Sequence, residues 1–597
     1  MKKVTLLLLV CFLFAGAAFG AKSNIQHKKA VILQEGKNAE PQPGFMQMQK
    51  ISQSPGVSIV GDPTTIYYDW QSNGGDEKHL MIFPDGSGHV AYMGDADPSG
   101  AGTSAQRGSY YSYSDDYGAT WTYIGRVEPR RSGYHSLDAN SMGSAVVASH
   151  SAPAGSILGP SIFVDALAGF GIFTEFTHPR SGREFTWPMV VSPTDDYVYY
   201  TGFEDADGVW NMWNWCNPNT GAFGTPQDMF PGVDNEIRGC TVRSEGGKVT
   251  TLLIQGLDIA KLGQWGENNI IAMTSTDFGR TFGEPYMITS LPADTSLESM
   301  PSLWLGISAV YVGEELHVTW TQVEDIAPTE DGISFYFDTL CLMHWAESVN
   351  DGEPTVAVRW DSLHFAGNLG SGDQGSNHIN IDWPKIGVDE NGIIILTFTG
   401  FVGDSTDLDP ASNYAYAEIW AAASADNGLQ WGEPVNLTNS IDIDDRYPYL
   451  SNWNEAGKLT VMYQTSTIAG SALQGEGGAG EQDYLVLKAD IPSTEPYIGP
   501  NSVKQVSSVP ASYQLEQNYP NPFNPSTAIR FSLEKNSLVK LTVYNMLGER
   551  VAVLADGYLN AGTHEATWNA ASLSSGLYFY RLEAGNTTLT RKMTLMK

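Results

Sequence analysis

Nine side chains scattered along the chain have the types needed for polar recognition or proton transfer: His135, Arg183, Glu184, Glu236, Arg238, His378, Asp382, Arg446 and Tyr447. An arginine fork binds oxygen atoms through paired hydrogen bonds, and a nearby histidine or carboxylate can move a proton. The same mixture can also neutralise itself as a salt-bridged plug. Residue types alone leave all three roles open: catalysis, ligand binding and plug. Acidic loops form a second group. Asp404, Asp407 and Asp409 lie in GDSTDLDP, Asp442, Asp444 and Asp445 in SIDIDDRYP, and Asp95 and Asp97 in GDADPSG. Hard cations such as Ca2+ take several carboxylate and carbonyl oxygens, so the first triplet is the metal candidate. None of the loops has the Gly and the terminal Glu of a full calcium-binding loop, and a solvated acidic loop is the other reading.

These residues must be positioned by a β framework. The chain has 597 residues with 62 Gly, 11% aromatic and 17% charged residues, a turn-rich composition. Its 33 Lys+Arg against 67 Asp+Glu give a net charge of −34. A polyanion is repelled by nucleic acid and by anionic membranes, so neither is an expected partner. Lys2 and Lys3, an apolar run from Val4 to Ala18 and the small residues up to Ala21 read as a secretory signal peptide cleaved after Gly20. No later segment is long and apolar enough to span a bilayer. Cys216, Cys240 and Cys341 remain after cleavage. An odd number excludes a complete disulfide framework, leaving one bridge, with Cys216–Cys240 as the pair, or three buried thiols. No Cys or His spacing fits a zinc site.

A short motif recurs three times: SDDYGATW (Ser114, Asp116, Gly118, Trp121), STDFGRTF (Ser275, Asp277, Gly279, Phe282) and SADNGLQW (Ser424, Asp426, Gly428, Trp431). The Asp can accept backbone N–H groups across a tight turn, the Gly can take positive φ, and the aromatic can plug a sheet. Between the copies lie paired strand patterns, among them Trp187–Phe203, Pro301–Gln322, Trp383–Gly400 and Tyr447–Gln464. With Leu80–Met93, Ser136–Ser149 and Arg238–Gln255 they make seven starts at a spacing near or above that of propeller blades. The motif resembles the Asp box, or bacterial neuraminidase repeat, of sialidase-like β-propellers. The resemblance implies an all-β propeller of seven blades, or six if the weak second unit is an insertion. It also implies that the boxes are structural and lie on the periphery. In such a ring the nine residues named first precede innermost strands and reach the channel mouth. Tyr67, Tyr68 and Trp70 come before the first blade, as an edge strand or ring closure.

The stretch IPSTEPYIGPNSVKQVSSVPA (491–511) reads as a linker. From Ser512 onward eight Lys+Arg face six Asp+Glu, whereas the body before it, without the signal peptide, has 23 against 61. Alternating strands at Thr527–Leu533, Val539–Tyr544, Arg550–Leu554, Thr563–Trp568, Leu577–Glu583 and Thr588–Met596 predict a small β-sandwich. NYPNPFNPSTAIRF, LTVYNMLGERVAVL, AGTHEATWNA, LSSGLYFYRLEAG and TRKMTLMK resemble, in order, the type A C-terminal sorting domain of the type IX secretion system. That resemblance implies export through the periplasm to the outer surface or beyond, with the secretion machinery as partner. The expected layout is signal peptide 1–20, extension 21–59, propeller 60–491, linker 492–511 and sorting domain 512–597.

Sialidases use three arginines to clamp the substrate carboxylate, an acid Asp and a Glu-activated Tyr. Their first arginine lies in a Phe/Tyr-Arg-Ile-Pro stretch, which this sequence lacks; between Ala21 and Asp116 the only arginine is Arg107. The expected role is binding of an extracellular glycan or protein, or a structural role at the surface. A secreted sialidase-like glycoside hydrolase is the alternative.

Overall fold

The computed structural model describes residues 56–60, 78–95, 106–151, 159–178, 184–193, 197–205, 212–230, 235–255, 269–291, 300–329, 332–335, 340–360, 369, 374, 378–403, 408–440, 442–471, 476, 482–495, 503–507, 512–534, 537–548, 550–559, 562–570, 573–584 and 587–597. The expected signal peptide and Tyr67, Tyr68 and Trp70 lie outside them. The chain divides into two compact units, residues 1–427 with 434–492, and residues 493–597 with 428–433. Among the described residues no helix is long and apolar enough to cross a membrane.

The first unit is built from hairpins whose turns are set by local chemistry. In the turn after Val388, the Asp389 carboxylate accepts the N–H groups of Asn391 (2.9 Å) and Ile393 (2.8 Å), and Gly392 takes φ 82°. Among the described residues, hairpins join consecutive strands of this unit into seven mainly antiparallel sheets. The first holds Leu80–Ile82, Gly88–Gly94, Gly108–Ser114 and Thr122–Arg126. The second holds Ser132–Ala139, Ala145–Ser151, Gly159–Asp165 and Phe173–Thr177. The third holds Glu184–Val191, Val198–Asp205 and Met212–Asn217 with two short outer strands. The fourth holds Asn235–Arg243, Val249–Gln255, Ile270–Ser275 and Tyr286–Met287. The fifth holds Met300–Val312, Glu315–Thr329, Leu340–Ala346 and Thr355–Arg359, with Gly332–Phe335 beside the second of these. The sixth holds Ile381–Asp389, Ile394–Phe401, Ala417–Ser424 and Val435–Asn436, with Trp453–Asn454 parallel to the first of these. The seventh holds Asp444–Leu450, Lys458–Ser466 and Gln482–Asp490, and its outer strand is Val57–Ile59.

Each sheet packs against the next through its first strand, and the seventh packs against the first. One hydrogen bond recurs at these seams. Val190 N–H donates to Ser136 Oγ (3.2 Å), Ile386 N–H to Ser308 Oγ (3.3 Å), and Ile82 N–H to Ser451 Oγ (2.9 Å). The last joins the first sheet to the seventh in the same way as the others join neighbours in sequence. The arrangement is propeller-like. Its seventh sheet is completed from the N-terminal side, with Val57 opposite Leu487 and Ile59 opposite Leu485. This strand lies ahead of residue 60, where the sequence pattern starts the body. Three residues are too few to show an alternation.

Four of the first strands share a second feature. Each described bulge between Gly133/Ser136, Thr186/Met189, Asp382/Lys385 and Arg446/Tyr449 contains an aromatic residue at positive φ: Tyr134, Trp187, Trp383 and Tyr447. A bulky residue rarely adopts that conformation, and it persists only where packing over-determines it. Tyr134, Trp383 and Tyr447 are buried in one cluster with Tyr92, Tyr449 and Tyr484, and Trp187 packs against it.

The second unit is a two-sheet sandwich. One sheet orders Val503–Ser507, Gly562–Asn569, Ser526–Leu533 and Gln514–Leu515, and the other Arg550–Leu559, Ser537–Tyr544, Gly576–Ala584 and Thr587–Leu595. Ile529, Phe531, Leu541, Val543, Trp568, Tyr580 and Met593 belong to its core. The stretch expected to be linker therefore contributes a strand, because Val503–Ser507 pairs with the strand Gly562–Asn569. Cys216, Cys240 and Cys341 are buried thiols outside any disulfide, the second of the two arrangements the sequence left open.

Candidate functional site

The three Ser-x-Asp-x-Gly copies adopt one local geometry. Ser114, Ser275 and Ser424 donate their hydroxyls to Asp116, Asp277 and Asp426 at 2.7, 2.7 and 2.9 Å. Gly118, Gly279 and Gly428 have φ of 76°, 91° and 87°, and the residue before each is also at positive φ. Asp116 and Asp277 each accept the N–H of the threonine four residues on, at 2.8 Å in both copies. Burial raises their carboxyl pKa values, but the threonine and serine hydrogen bonds outweigh it and hold both below the ordinary range. Trp121 and Trp431 give their indole N–H to the carbonyls of Gly118 (3.0 Å) and Gly428 (3.1 Å). The Phe282 ring has no N–H to give. Trp213 of the third sheet supplies it instead, donating to Gly279 O at 2.8 Å and packing edge-on against Phe282. These groups serve the turns.

Towards the middle of the ring the first strands carry buried polar side chains. Asp138 of the second sheet accepts Arg243 of the fourth, Nε at 2.9 Å and Nη2 at 3.1 Å, and also the N–H of Ser192 at 2.8 Å. His135 packs on His79 (ring centroids 4.3 Å apart), and His79 stacks on Tyr449 (4.0 Å). Burial pushes His135 down to about 4 and His79 well below its ordinary value, so both are neutral at pH 7. His135 thus belongs to packing inside the ring.

Four of the nine predicted residues come together where the first strands of the sixth and seventh sheets begin. His378 Nδ1 lies 3.1 Å from Asp382 Oδ2, and its Nε2 lies 3.2 Å from the Tyr447 hydroxyl. With the proton on Nδ1 facing Asp382, Nε2 accepts the Tyr447 O–H; with the proton on Nε2 instead, Nε2 donates to the Tyr447 hydroxyl and Nδ1 accepts the Trp383 indole N–H at 3.3 Å. Burial raises the Asp382 pKa, opposed by His378. Arg446 is buried beside Tyr447, with Nε 2.7 Å from Asp444 Oδ2 and its guanidinium over the Phe401 ring at 5.0 Å. Burial opposes the Arg446 charge, but Asp444 outweighs it and holds the group cationic.

The pairing register explains what surrounds Arg446. Asp444 stands opposite Ser466, and Ser466 opposite Gln482; Arg446 stands opposite Gln464. Alternate residues share a face, so Asp444, Arg446, Gln464, Ser466 and Gln482 form one polar patch. With Tyr447, Gly470 and Ser471 they line a narrow recess with room for about one water molecule. Gln464 Nε2 donates to Gln482 Oε1 at 2.9 Å. Arg446 Nη1 and Nη2 and Gln464 Oε1 are buried with no hydrogen-bond partner among the described residues. On the opposite face, Asp445 takes the Ser440 hydroxyl at 2.6 Å, and Glu418 takes the Ser440 N–H at 2.7 Å. Burial raises Asp445 to about 6 and Glu418 to about 7.

The other predicted residues are placed as follows. Arg183, Asp97, Asp404 and Asp407 lie outside the described residues. Glu184, Glu236 and Arg238 lie in the first strands of the third and fourth sheets, with only their backbone described. Asp409 is a turn residue: its carboxylate accepts the N–H groups of Ala411 and Ala469 at 3.0 Å each and the Ser412 hydroxyl at 2.8 Å. Among the described residues no group of three His, Cys, Asp or Glu side chains could hold a metal ion. The sequence reading missed Gln464, Ser466 and Gln482, whose only signal is cross-strand register, and Ser471, which follows the strand Lys458–Ser466 and carries no register signal.

Residues 517–596 match the family described as the secretion system C-terminal sorting domain. No curated protein matches the chain. Among solved structures, PorZ, a surface component of the type IX secretion system of Porphyromonas gingivalis, is similar at 10% identity and TM-score 0.34. The match covers 88% of this chain, which spans 60% of the length of that one. A protein of unknown function from Dyadobacter fermentans matches at 11% identity and TM-score 0.34, over 73% of this chain and 100% of its own. A subtype N10 neuraminidase-like protein of A/little yellow-shouldered bat matches at 9% identity and TM-score 0.31, over 74% of this chain and 98% of its own. With its sorting domain at the C-terminal end, the chain is a protein exported by the type IX secretion system to the outer surface or the extracellular space.

Proposed function

We propose that the exported protein is a glycan-binding β-propeller, one oxygen of whose ligand enters the recess beside Arg446. The seven sheets are read as seven blades of one ring, closed by Val57–Ile59, with the three Ser-x-Asp-x-Gly turns as Asp boxes that hold blade corners. Residues 1–20 act as the signal peptide. The secretion machinery reads the C-terminal sandwich, which is removed at the surface. The observation that carries the binding role is the buried guanidinium of Arg446, with Nη1 and Nη2 unpartnered among the described residues at the wall of that recess. An unsatisfied buried charged donor costs stability, and a ligand oxygen repays that cost on binding. The test is a glycan array probed with the exported protein and with a charge-neutral Asp444→Leu/Arg446→Met double variant. Binding by the first and not by the second is expected; an equal pattern from both refutes the assignment.

The Tyr447–His378–Asp382 chain favours a second reading, a glycoside hydrolase. A hydroxyl, a base and a group orienting that base are the parts of an activated nucleophile. Release of new reducing ends from a glycan, abolished by His378→Ala, is the result that would establish it.

A further inference from the structure

We infer that Glu418, Ser440 and Asp445 form a proton-dependent latch at the seam of the sixth and seventh sheets. The latch holds residues 437–440, which connect the two sheets, while a proton stays on the pair of carboxyls, and it loosens them once that proton is lost. Glu418 lies on the third strand of the sixth sheet and Asp445 on the first strand of the seventh, and both are buried. The Ser440 hydroxyl lies 2.6 Å from Asp445 Oδ2 and 3.3 Å from Glu418 Oε2. It has one proton and can donate to only one of them at a time. Glu418 Oε1 accepts the Ser440 N–H at 2.7 Å, and Oε2 also accepts the Thr438 hydroxyl. Thr438 Oγ1 takes the Ile419 N–H at 3.1 Å, and the Leu437 N–H donates to Ile419 O at 2.8 Å. Apart from the two bonds to Ile419, the hydrogen bonds that tie this segment to the two sheets, among the described residues, run through the two carboxyls.

Two buried carboxyls that meet on one hydroxyl do not both ionise without a cation beside them. Among the described residues neither makes an ion pair. Arg446, on the opposite face of the strand, is paired with Asp444. The titratable neighbours bring no positive charge. Asp444 pushes Asp445 further up. Tyr463, on the second strand of the seventh sheet, is kept protonated by burial and by both carboxyls. Asp483 shares the face of Asp445 across Thr465. On the sixth sheet Glu418 stands opposite Gly400, and Gly400 opposite Ile381, which carry no charge. Asp445 Oδ1 is buried with no hydrogen-bond partner among the described residues, so an ionised Asp445 is left poorly solvated. Burial is the main cause that raises Glu418 to about 7 and Asp445 to about 6, so the pair loses its protons across neutral pH. Both folded values lie above the unfolded ones. The stabilising effect is therefore full below the unfolded carboxyl values near ~4 and is lost as the pH rises through the folded ones. Residues 437–440 are partly or fully exposed, so lifting them lets water reach the two carboxylates.

The test is hydrogen exchange of the full exported protein at about pH 5 and about pH 8, read by mass spectrometry and corrected for the intrinsic pH dependence of exchange. The amides of 437–440 are compared with those of Ala145–Ser151 in the second sheet. The expected result is a loss of protection at 437–440 of roughly 10- to 100-fold between the two pH values, with the reference strand unchanged. Glu418→Gln keeps an acceptor for the Ser440 N–H and cannot ionise, so it should hold the segment protected at both pH values. Asp445→Asn makes the same check from the other sheet and serves if Glu418→Gln does not fold. Equal protection of the native segment at both pH values would overturn the latch. So would an equal loss in the reference strand, or a pH dependence that survives in whichever of the two variants folds.

Discussion

Asp138→Asn tests whether the middle of the ring is a packed, charge-paired core. The substitution keeps the shape of the side chain and removes its charge. In the native protein Asp138 is fully buried and bridges two sheets that are not neighbours, through two bonds to Arg243, while also accepting the N–H of Ser192 in the sheet between. Removing one partner of a buried pair leaves the other uncompensated, at a cost of about 3–5 kcal/mol. Part of the Arg243 side chain reaches solvent, with 17% of it exposed, so the lower end of that range is expected. Burial raises the Asp138 pKa, but Arg243 outweighs it and holds the carboxyl below its ordinary value. Its contribution is therefore present above the unfolded carboxyl pKa and is lost as the pH falls through the folded one. Urea denaturation of the full chain at pH 7 should show a loss of about 3 kcal/mol for Asp138→Asn, shrinking as the pH falls below about 4. An Asp138→Leu/Arg243→Met double variant should recover most of it. A loss under about 1 kcal/mol at pH 7, well below the range for a broken buried pair, would show that the pair is hydrated and the ring middle open.

Three further outcomes are expected. Deleting residues 503–597 should leave the protein in the periplasm of the secreting cell, as read by fractionation and immunoblotting; normal amounts outside the cells would refute the role of the tail. His135 is buried neutral, with its pKa pushed down to about 4, so the unfolded chain takes a proton more readily. Its contribution is present above pH ~6.5 and lost towards pH 4, worth about 3 kcal/mol, and His135→Leu should flatten the stability profile over that window by a similar amount. A fluorogenic sialoside should release no sialic acid with the exported protein, since the Phe/Tyr-Arg-Ile-Pro stretch is missing; turnover that disappears in Arg446→Ala would contradict this.

How much could be read from the sequence followed from how local the information was. The Ser-x-Asp-x-Gly turns were legible because Ser114, Asp116, Gly118 and Thr120 contact one another within seven residues. The strands of the tail were legible because one face of each is buried, as in Gly576–Ala584, where the buried residues alternate. Trp213 serving the turn of Gly279 was not legible, because the pair is 66 positions apart and depends on two sheets meeting. The strand Val503–Ser507 has a Pro-bearing, turn-rich neighbourhood that masks its pairing. At the candidate site, His378, Asp382, Arg446 and Tyr447 were found because all four lie at the start of an inner strand. Gln464 and Gln482 come from the ends of two other strands, and only the register of the seventh sheet sets them beside Arg446.

The most direct measurement of the central claim is a crystal structure of the exported protein soaked with the glycan that binds it most tightly. A sugar oxygen is expected in the recess of Asp444, Arg446, Gln464 and Gln482, within about 3.2 Å of Arg446 Nη1 or Nη2. A glycan bound elsewhere on the ring, with Arg446 untouched, would contradict it.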